Sequence, residues 1–328
     1  MKNKTDILYT TDNRYLDIML ASILSLLLNS KLENIRIHII TENFSSEDYE
    51  KVEKLLYNYP NIDLYFYPME QINIDKYKIP NWRGCQIANS RLFFQEILYE
   101  HISDIKNLLY LDSDTIVVSD LNDITQYSSN TICACKDRVI KRYPQRLKVK
   151  DYYNSGILYF NVEEWTKNDC EAKIIRHLEE NKIKYNFPDQ DILNLTFNSE
   201  ITTLPLKYNV NPDVFIYKGI VGKIYFNPNE RSITYKEAVE ARNDPKILHS
   251  YALAEIKPWY NNNVNPFNDI FREYITQVNP NFKPQELQYL KKVIDKYPLL
   301  FYSYIYAWPH IPPKVRKETI KIIKKIKK

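Results

Sequence analysis

Leu108-Leu109-Tyr110-Leu111-Asp112-Ser113-Asp114-Thr115-Ile116-Val117-Val118 is the stretch whose reading decides the fold. Four apolar or aromatic residues run unbroken into two carboxylates held one residue apart. A short unbroken apolar run marks a strand buried on both faces, as in a parallel sheet covered by helices. In open α/β sheets ligands bind beyond the carboxyl ends of strands, where Asp112 and Asp114 fall. Two hard oxygen donors there suit a divalent cation shared with the phosphates of a nucleotide. Asp-Ser-Asp is also the composition of a plain polar turn, so the rest of the chain has to decide.

Upstream, an apolar strand over 6–10 meets the polar turn Thr11-Asp12-Asn13-Arg14. A helix over 15–28 follows, with Ile18, Ala21, Leu24 and Leu28 on one face. Strands over 35–41 and 62–67 enclose a helix over 45–57 with Ser45 or Ser46 as its cap. A helix over 89–99 carries Arg91 into the 108–112 strand. This alternation predicts an α/β fold with a parallel, doubly wound sheet. Downstream the pattern loosens. Strands are expected over 131–136 and 152–161, and a helix over 163–181. Pro188 opens another helix, with Asp189 and Asp191 at its positive end. A strand over 246–249 ends in His249, and a helix over 266–278 closes the body.

A chain of 328 residues can bury a sizeable core, and 26% charged with 44% hydrophobic residues is an ordinary soluble globular composition. Only four glycines occur, and neither G-x-G-x-x-G nor a Walker A sequence is present. That excludes a motif-bearing dinucleotide dehydrogenase or P-loop NTPase. Cys85, Cys133, Cys135 and Cys170 form no C-x-x-C pair, and Cys133 and Cys135 fall on one face of a strand. Buried free thiols in a reducing cytoplasm are expected. The start of the chain lacks a signal-peptide core, and the apolar stretch 18–28 is too short to span a bilayer. Charge divides the chain: residues 281–328 carry 12 basic and 3 acidic residues, net +9, leaving 33 and 38, net −5, to residues 1–280. A body over 1–280 and a C-terminal segment over 281–328 are therefore expected. That segment is dense in aromatics over 297–308, and its last part, 314–328, reads as a basic helix. Tyrosine, tryptophan and lysine in this order suit contact with an anionic membrane surface, and an acidic body argues against nucleic acid.

Four pieces line up in order: Thr11-Asp12-Asn13-Arg14-Tyr15; Leu109-Tyr110-Leu111-Asp112-Ser113-Asp114; Tyr153-Asn154-Ser155-Gly156-Ile157-Leu158 with Asp189-Gln190-Asp191-Ile192-Leu193-Asn194; and His249 with Lys257-Pro258-Trp259. Over about residues 5–275 this set resembles the family 8 retaining glycosyltransferases, such as the bacterial lipooligosaccharide galactosyltransferases and glycogenin. The resemblance implies a GT-A fold that uses a UDP-sugar and manganese, with magnesium as the alternative. Asp112, Asp114 and His249 would be the metal ligands, and Lys257 would contact the diphosphate. Asp12 and Tyr15 match positions that hold the uracil ring, Arg91 a donor-contacting arginine, and Asn154 a sugar-hydroxyl contact. Asp189 would hold sugar hydroxyls and Gln190 would lie near the anomeric carbon.

The chain departs from the family pattern in two places. Arg14 stands where Asn is usual. The family's His-x-x-Gly is replaced by His249-Ser250-Tyr251-Ala252, with a longer run to Lys257. Plainer roles stand beside each assignment: a core histidine for His249, a solvated loop charge for Lys257, a helix-surface ion pair for Arg91, a turn residue for Asn154 and a helix-dipole partner for Asp189. The expected activity is transfer of galactose or glucose from UDP, with retention, to a lipopolysaccharide, capsule or glycoprotein glycan. The enzyme would work in the cytoplasm on the inner face of the cell membrane. The rivals are a non-catalytic scaffold and a metal-dependent nucleotidyltransferase.

Overall fold

The structure is a computed structural model that describes residues 4–80, 86–128, 131–181, 183–251, 257–261 and 265–285. Cys85, residues 252–256 and the chain from 286 onward lie outside the described residues, and with them most of the expected C-terminal segment. Nine strands occur among the described residues: β1 Thr5–Asp12, β2 Ile35–Glu42, β3 Asp63–Pro68, β4 Asn107–Leu111, β5 Thr115–Val117, β6 Ile132–Lys136, β7 Tyr153–Asn161, β8 Ile201–Leu204 and β9 Ile247–His249.

Seven strands form one sheet in the order β3-β2-β1-β4-β7-β6-β8. The pairs β3–β2, β2–β1, β1–β4 and β6–β8 are parallel, and β7 is antiparallel to both β4 and β6. Only β7 is therefore reversed within this sheet, and the mostly parallel α/β sheet expected from the alternation is what the chain forms. Successive side chains of a strand face opposite ways, so β4 feeds both cores. Leu108 and Tyr110 pack on one side, Leu109 and Leu111 on the other. Cys133 and Cys135 share that second side and are buried free thiols, as is Cys170.

The helix Leu16–Asn29 lies on one face and the helices Val162–Lys167, Cys170–Glu180 and Pro188–Phe197 on the other. Ile18, Ala21 and Leu24 form a further core with short helices from 212 onward, but Leu28, expected on the same face, is exposed. Ser45 is the cap of Ser46–Leu56, in a reciprocal capping box with Asp48. No described helix is long and apolar enough to cross a membrane.

Two expectations change. The stretch 89–99 is a 3-10 helix over Ile87–Phe93 followed by the single turn Phe94–Ile97. Arg91 Nε donates to the Ala88 carbonyl at 2.7 Å, the acceptor that an α-helix would give to the N–H of Leu92. The helix expected over 163–181 is broken into Val162–Lys167 and Cys170–Glu180 by Asp169 in the left-handed region at φ 52°, a conformation that Asp adopts more readily than most residues. The short helices Pro212–Ile216, Gly219–Tyr225 and Tyr235–Asn243 had no expectation. Five to nine residues give too few turns for a periodic signal.

A charged cluster crosses β1 and β2. Arg36 Nη2 meets Asp6 Oδ2 at 2.9 Å, and His38 Nε2 lies 3.0 Å from Asp6 Oδ1. All three are buried, and His38 Nδ1 lies 3.0 Å from the Tyr67 hydroxyl. Burial lowers the pKa of His38, against the opposing pull of Asp6.

Candidate active site

Asp112 follows the last residue of β4 and Asp114 precedes the first of β5. The device that completes the site is the two-stranded β5–β9 ribbon, in which Thr115 pairs with His249. Ser250 N also donates to Asp114 O at 2.9 Å. One ribbon thus brings a histidine from the far end of the body onto the Asp-Ser-Asp turn. Asp112, Asp114 and His249 each offer a ligand atom within 4.8 Å of the others.

The imidazole is held in one tautomer. The N–H of Gly156, a donor that cannot flip, lies 3.0 Å from Asn154 Oδ1 and so fixes that amide. Asn154 Oδ1 then accepts from Asn209 Nδ2 at 2.8 Å, which turns Asn209 Oδ1 to His249 Nδ1 at 2.9 Å. In the neutral ring Nδ1 must carry the hydrogen, which leaves Nε2 with the lone pair. Nε2 lies 3.0 Å from Asp114 and 3.4 Å from Asp112, yet it is buried without a hydrogen-bond partner. A lone pair facing two carboxylates is repelled, so the arrangement calls for positive charge between them, either a metal ion or a proton on Nε2. Two carboxylate oxygens and one imidazole nitrogen, without thiolate, suit manganese or magnesium better than a soft-ligand metal. Gly156 makes room for this: a Cβ there would overlap the His249 ring and lie 2.6 Å from Asp112 Oδ2.

The charges respond as this crowding requires. Burial pushes the Asp112 carboxyl up, but Arg91 and His249 outweigh it and hold the group below its ordinary value. Asp114 is held well below the carboxylate range, Lys257 and His249 overcoming burial. Burial lowers His249, but Asp114 and Asp112 overcome it and raise its pKa. Burial raises Asp189, against the pull of Arg91.

Arg91 is no surface ion pair. Its buried guanidinium meets Asp112 Oδ1 at 2.8 Å, approaches Asp189 Oδ2 at 3.5 Å and lies over the Tyr110 ring. Lys257 is no solvated charge: its Nζ meets Asp114 Oδ2 at 2.6 Å and lies 4.8 Å over Trp259. Trp259 in turn takes the Tyr15 ring edge-on at 5.6 Å. Asp12 caps its own turn, Oδ1 accepting from the N–H groups of Arg14 and Tyr15, and Oδ2 accepts from Arg14 Nε at 2.9 Å.

The helix Pro188–Phe197 is pinned to the start of β7 by Asn194, which accepts from Tyr153 N at 2.7 Å and donates to Tyr153 O at 2.8 Å. That seats Asp189 and Gln190 beside Asn154 and Ser155. Ser155 Oγ donates to Asp189 Oδ2 at 2.7 Å. Gln190 Oε1 accepts from Asn154 Nδ2 and from Ser155 N, both at 3.0 Å, and Gln190 Nε2 donates to Asp137 Oδ2 at 3.2 Å. Asp191 is structural, accepting from the hydroxyls of Tyr143 and Tyr152 and from Asn186 N. Sequence reasoning missed Asp137, Ser155 and Asn209. Asp137 had a signal, since it follows the carboxyl end of β6. Asn209 had none.

A lipopolysaccharide 1,2-glucosyltransferase of Escherichia coli K12 is 26% identical over 215 residues, 62% of this chain and 61% of that protein. Another Escherichia coli lipopolysaccharide 1,2-glucosyltransferase is 30% identical over 202 residues, 57% of each chain. The match thus spans about three-fifths of the length of these two relatives. The crystal structure of galactosyltransferase LgtC with donor and acceptor sugar analogs superposes with a TM-score of 0.65 at 21% identity, over 84% of this chain and 96% of that one. That likeness is one of fold, the GT-A arrangement. Residues 6–263, most of the chain, match the model of glycosyl transferase family 8, and the chain belongs to that family.

Proposed function

We propose that this chain is a retaining hexosyltransferase that moves galactose or glucose from a UDP-sugar to a lipid-borne surface glycan. The observation that carries the reading is the unpartnered Nε2 of His249 between Asp112 and Asp114. Asp112, Asp114 and His249 would hold manganese or magnesium. When bound, the ion supplies Lewis-acid stabilisation of the charge on departing UDP. Relatives named for transfer of glucose and of galactose to lipopolysaccharide support the hexose and the acceptor class.

The remaining roles belong to this chain's own residues. Asp12 and Tyr15 form the uracil end of the cleft, Tyr15 backed by Trp259. Arg91 keeps Asp112 ionised and turns to the donor. Lys257 leaves Asp114 for the diphosphate once the pocket fills. Asn154 and Asp189 hold sugar hydroxyls. In a double displacement the attacking atom would be Gln190 Oε1, but an amide oxygen is a poor nucleophile and this one already accepts two hydrogen bonds. The acceptor hydroxyl therefore attacks the anomeric carbon on the face from which UDP leaves. The C–O bond to phosphate breaks, the bond to the acceptor oxygen forms, and the leaving phosphate oxygen takes the proton. Gln190 stabilises the oxocarbenium-like charge.

The segment 281–328 would hold the enzyme on the cytoplasmic face of the membrane, without nucleic acid. The test is release of UDP from a panel of UDP-sugars, with and without EDTA, and NMR of the product. UDP release that EDTA abolishes, with an α-linked product, is expected. Pyrophosphate in place of UDP, or no turnover with any donor, would refute the reading.

A further inference from the structure

One face of the body joins exposed cations to exposed aliphatic side chains. Residues 138–150 hold six cations and no anion. Five of them, Lys141, Arg142, Arg146, Lys148 and Lys150, are exposed, while Arg138 is paired with Asp213. Next to them is the helix Gly219–Tyr225, which shows Ile220 (78% exposed), Val221 and Ile224 (59%) to solvent. Exposed Lys218 and Lys223 flank these side chains. The helix stands this way because it docks through Gly222, where a Cβ would lie 2.6 Å from the Tyr235 ring and 2.7 Å from the Tyr217 carbonyl. The two stretches abut. Ile140, itself exposed, bridges to Arg231, Lys141 N donates to Glu230 O at 2.8 Å, and the Arg231 guanidinium covers Tyr225 at 3.9 Å.

Three neighbouring aliphatic side chains in water on one short helix mark a surface that something covers. Charge selects the occupant. Residues 1–280 carry net −5, yet this face is cationic, so its partner is anionic. The segment 281–328, at net +9, has the wrong sign to cover it, and a second copy would set cation against cation. We propose that this face rests on an anionic lipid bilayer, with Ile220 and Ile224 at headgroup depth and the lysines and arginines on lipid phosphates. The face adjoins the site. Residues 138–150 start directly after Asp137, and Tyr143 bonds Asp191. Docking would bring the cleft to a lipid-borne acceptor, so the inference deepens the proposed function and rests on it for its purpose alone.

The experiment is co-sedimentation of the full chain at low salt, in EDTA and without donor or acceptor. The vesicles are phosphatidylcholine with or without phosphatidylglycerol. Because no turnover is involved, its failure is separate from failure of the proposed activity. Binding to the phosphatidylglycerol vesicles alone is expected. Lys218→Gln with Lys223→Gln should weaken it by about fivefold per lysine, and Ile220→Ser with Ile224→Ser by about tenfold or more. All four side chains are exposed, so hydrolysis of UDP-sugar in solution should stay unchanged and report an intact fold. Equal binding to both vesicles, or unchanged binding of both double variants, overturns the proposal. Self-association lost in the isoleucine variant, with vesicle binding intact, overturns it in favour of a second copy.

Discussion

Replacing Asn209 by Leu keeps the branched outline of the side chain but removes the only group among the described residues that holds the Nδ1 side of His249. Without Asn209 Oδ1 at 2.9 Å, the imidazole hydrogen can sit on either nitrogen, and the form with a lone pair at Nε2 is no longer favoured. Loss of such a partner behind a metal-bound histidine weakens metal binding by about 10- to 100-fold, or about 1.4–2.7 kcal/mol. That matches the roughly 1–3 kcal/mol cost of leaving one buried polar group unpaired. Isothermal titration of manganese into the full chain reads the affinity. Two-bond proton–nitrogen NMR of the metal-free protein, titrated to the alkaline side of the raised pKa of His249 where the ring is neutral, reads the tautomer. The wild type should show hydrogen on Nδ1 and the variant a mixture. Asn209→Asp keeps an acceptor and should restore binding to within a few-fold of wild type. A Leu variant that binds manganese within about twofold of wild type, or a wild type with hydrogen on Nε2, refutes the tautomer argument.

Four further outcomes follow from the structure. Gly156→Ala should lower manganese affinity by at least about tenfold, because the new methyl displaces His249 or Asp112; titration calorimetry checks it, and unchanged affinity would contradict the packing. Gln190→Ala should cut turnover by roughly ten- to a thousandfold with modest change in donor affinity, a split that steady-state kinetics resolves. Asp114→Ala should abolish UDP-sugar turnover while leaving a folded chain, as circular dichroism would show. His38 is buried with its pKa lowered below 6.5, so the unfolded chain takes up a proton that the folded chain refuses. Stability should therefore be full above about pH 6.5 and fall below it, by at most about 1.4 kcal/mol per pH unit. Urea titrations at two pH values test this, and His38→Gln should flatten the slope.

The parts of the fold that the chain spells out are those where one local signal has no competitor. The run 108–111 had to be a two-faced strand, and Asp112 and Asp114 had to stand at its end. A serine at 45 or 46 had to cap the next helix, and Ser45 does so; Pro188 opened its helix. The parts that stay hidden depend on distant pairing. β5 is three residues, too short to carry a period, and although 246–249 reads as a strand, only its pairing with β5 puts His249 beside Asp114. Asn209 reads locally as a turn residue, and its role exists only because β7 carries Asn154 to it across 55 positions. Arg91 was placed at the donor only by resemblance, because nothing local says that its turn faces inward. Leu28 followed the apolar period of its helix but is exposed, while Ile18, Ala21 and Leu24 are covered.

The single reversed strand of the large sheet also has a consequence for biosynthesis. β7 sits between β4 and β6, so β4 stays an open edge until residues up to about 161 have left the ribosome. During that interval the nascent chain displays Leu108-Leu109-Tyr110-Leu111 with unpaired backbone groups, the kind of edge that recruits other chains. The same order means that a nascent chain short of His249 cannot assemble the cation cluster. A ribosome stalled after residue 204 and before His249 would hold a chain with all seven strands of the sheet and no cluster, so any ion the cluster binds could enter only at the final stage of synthesis or after it.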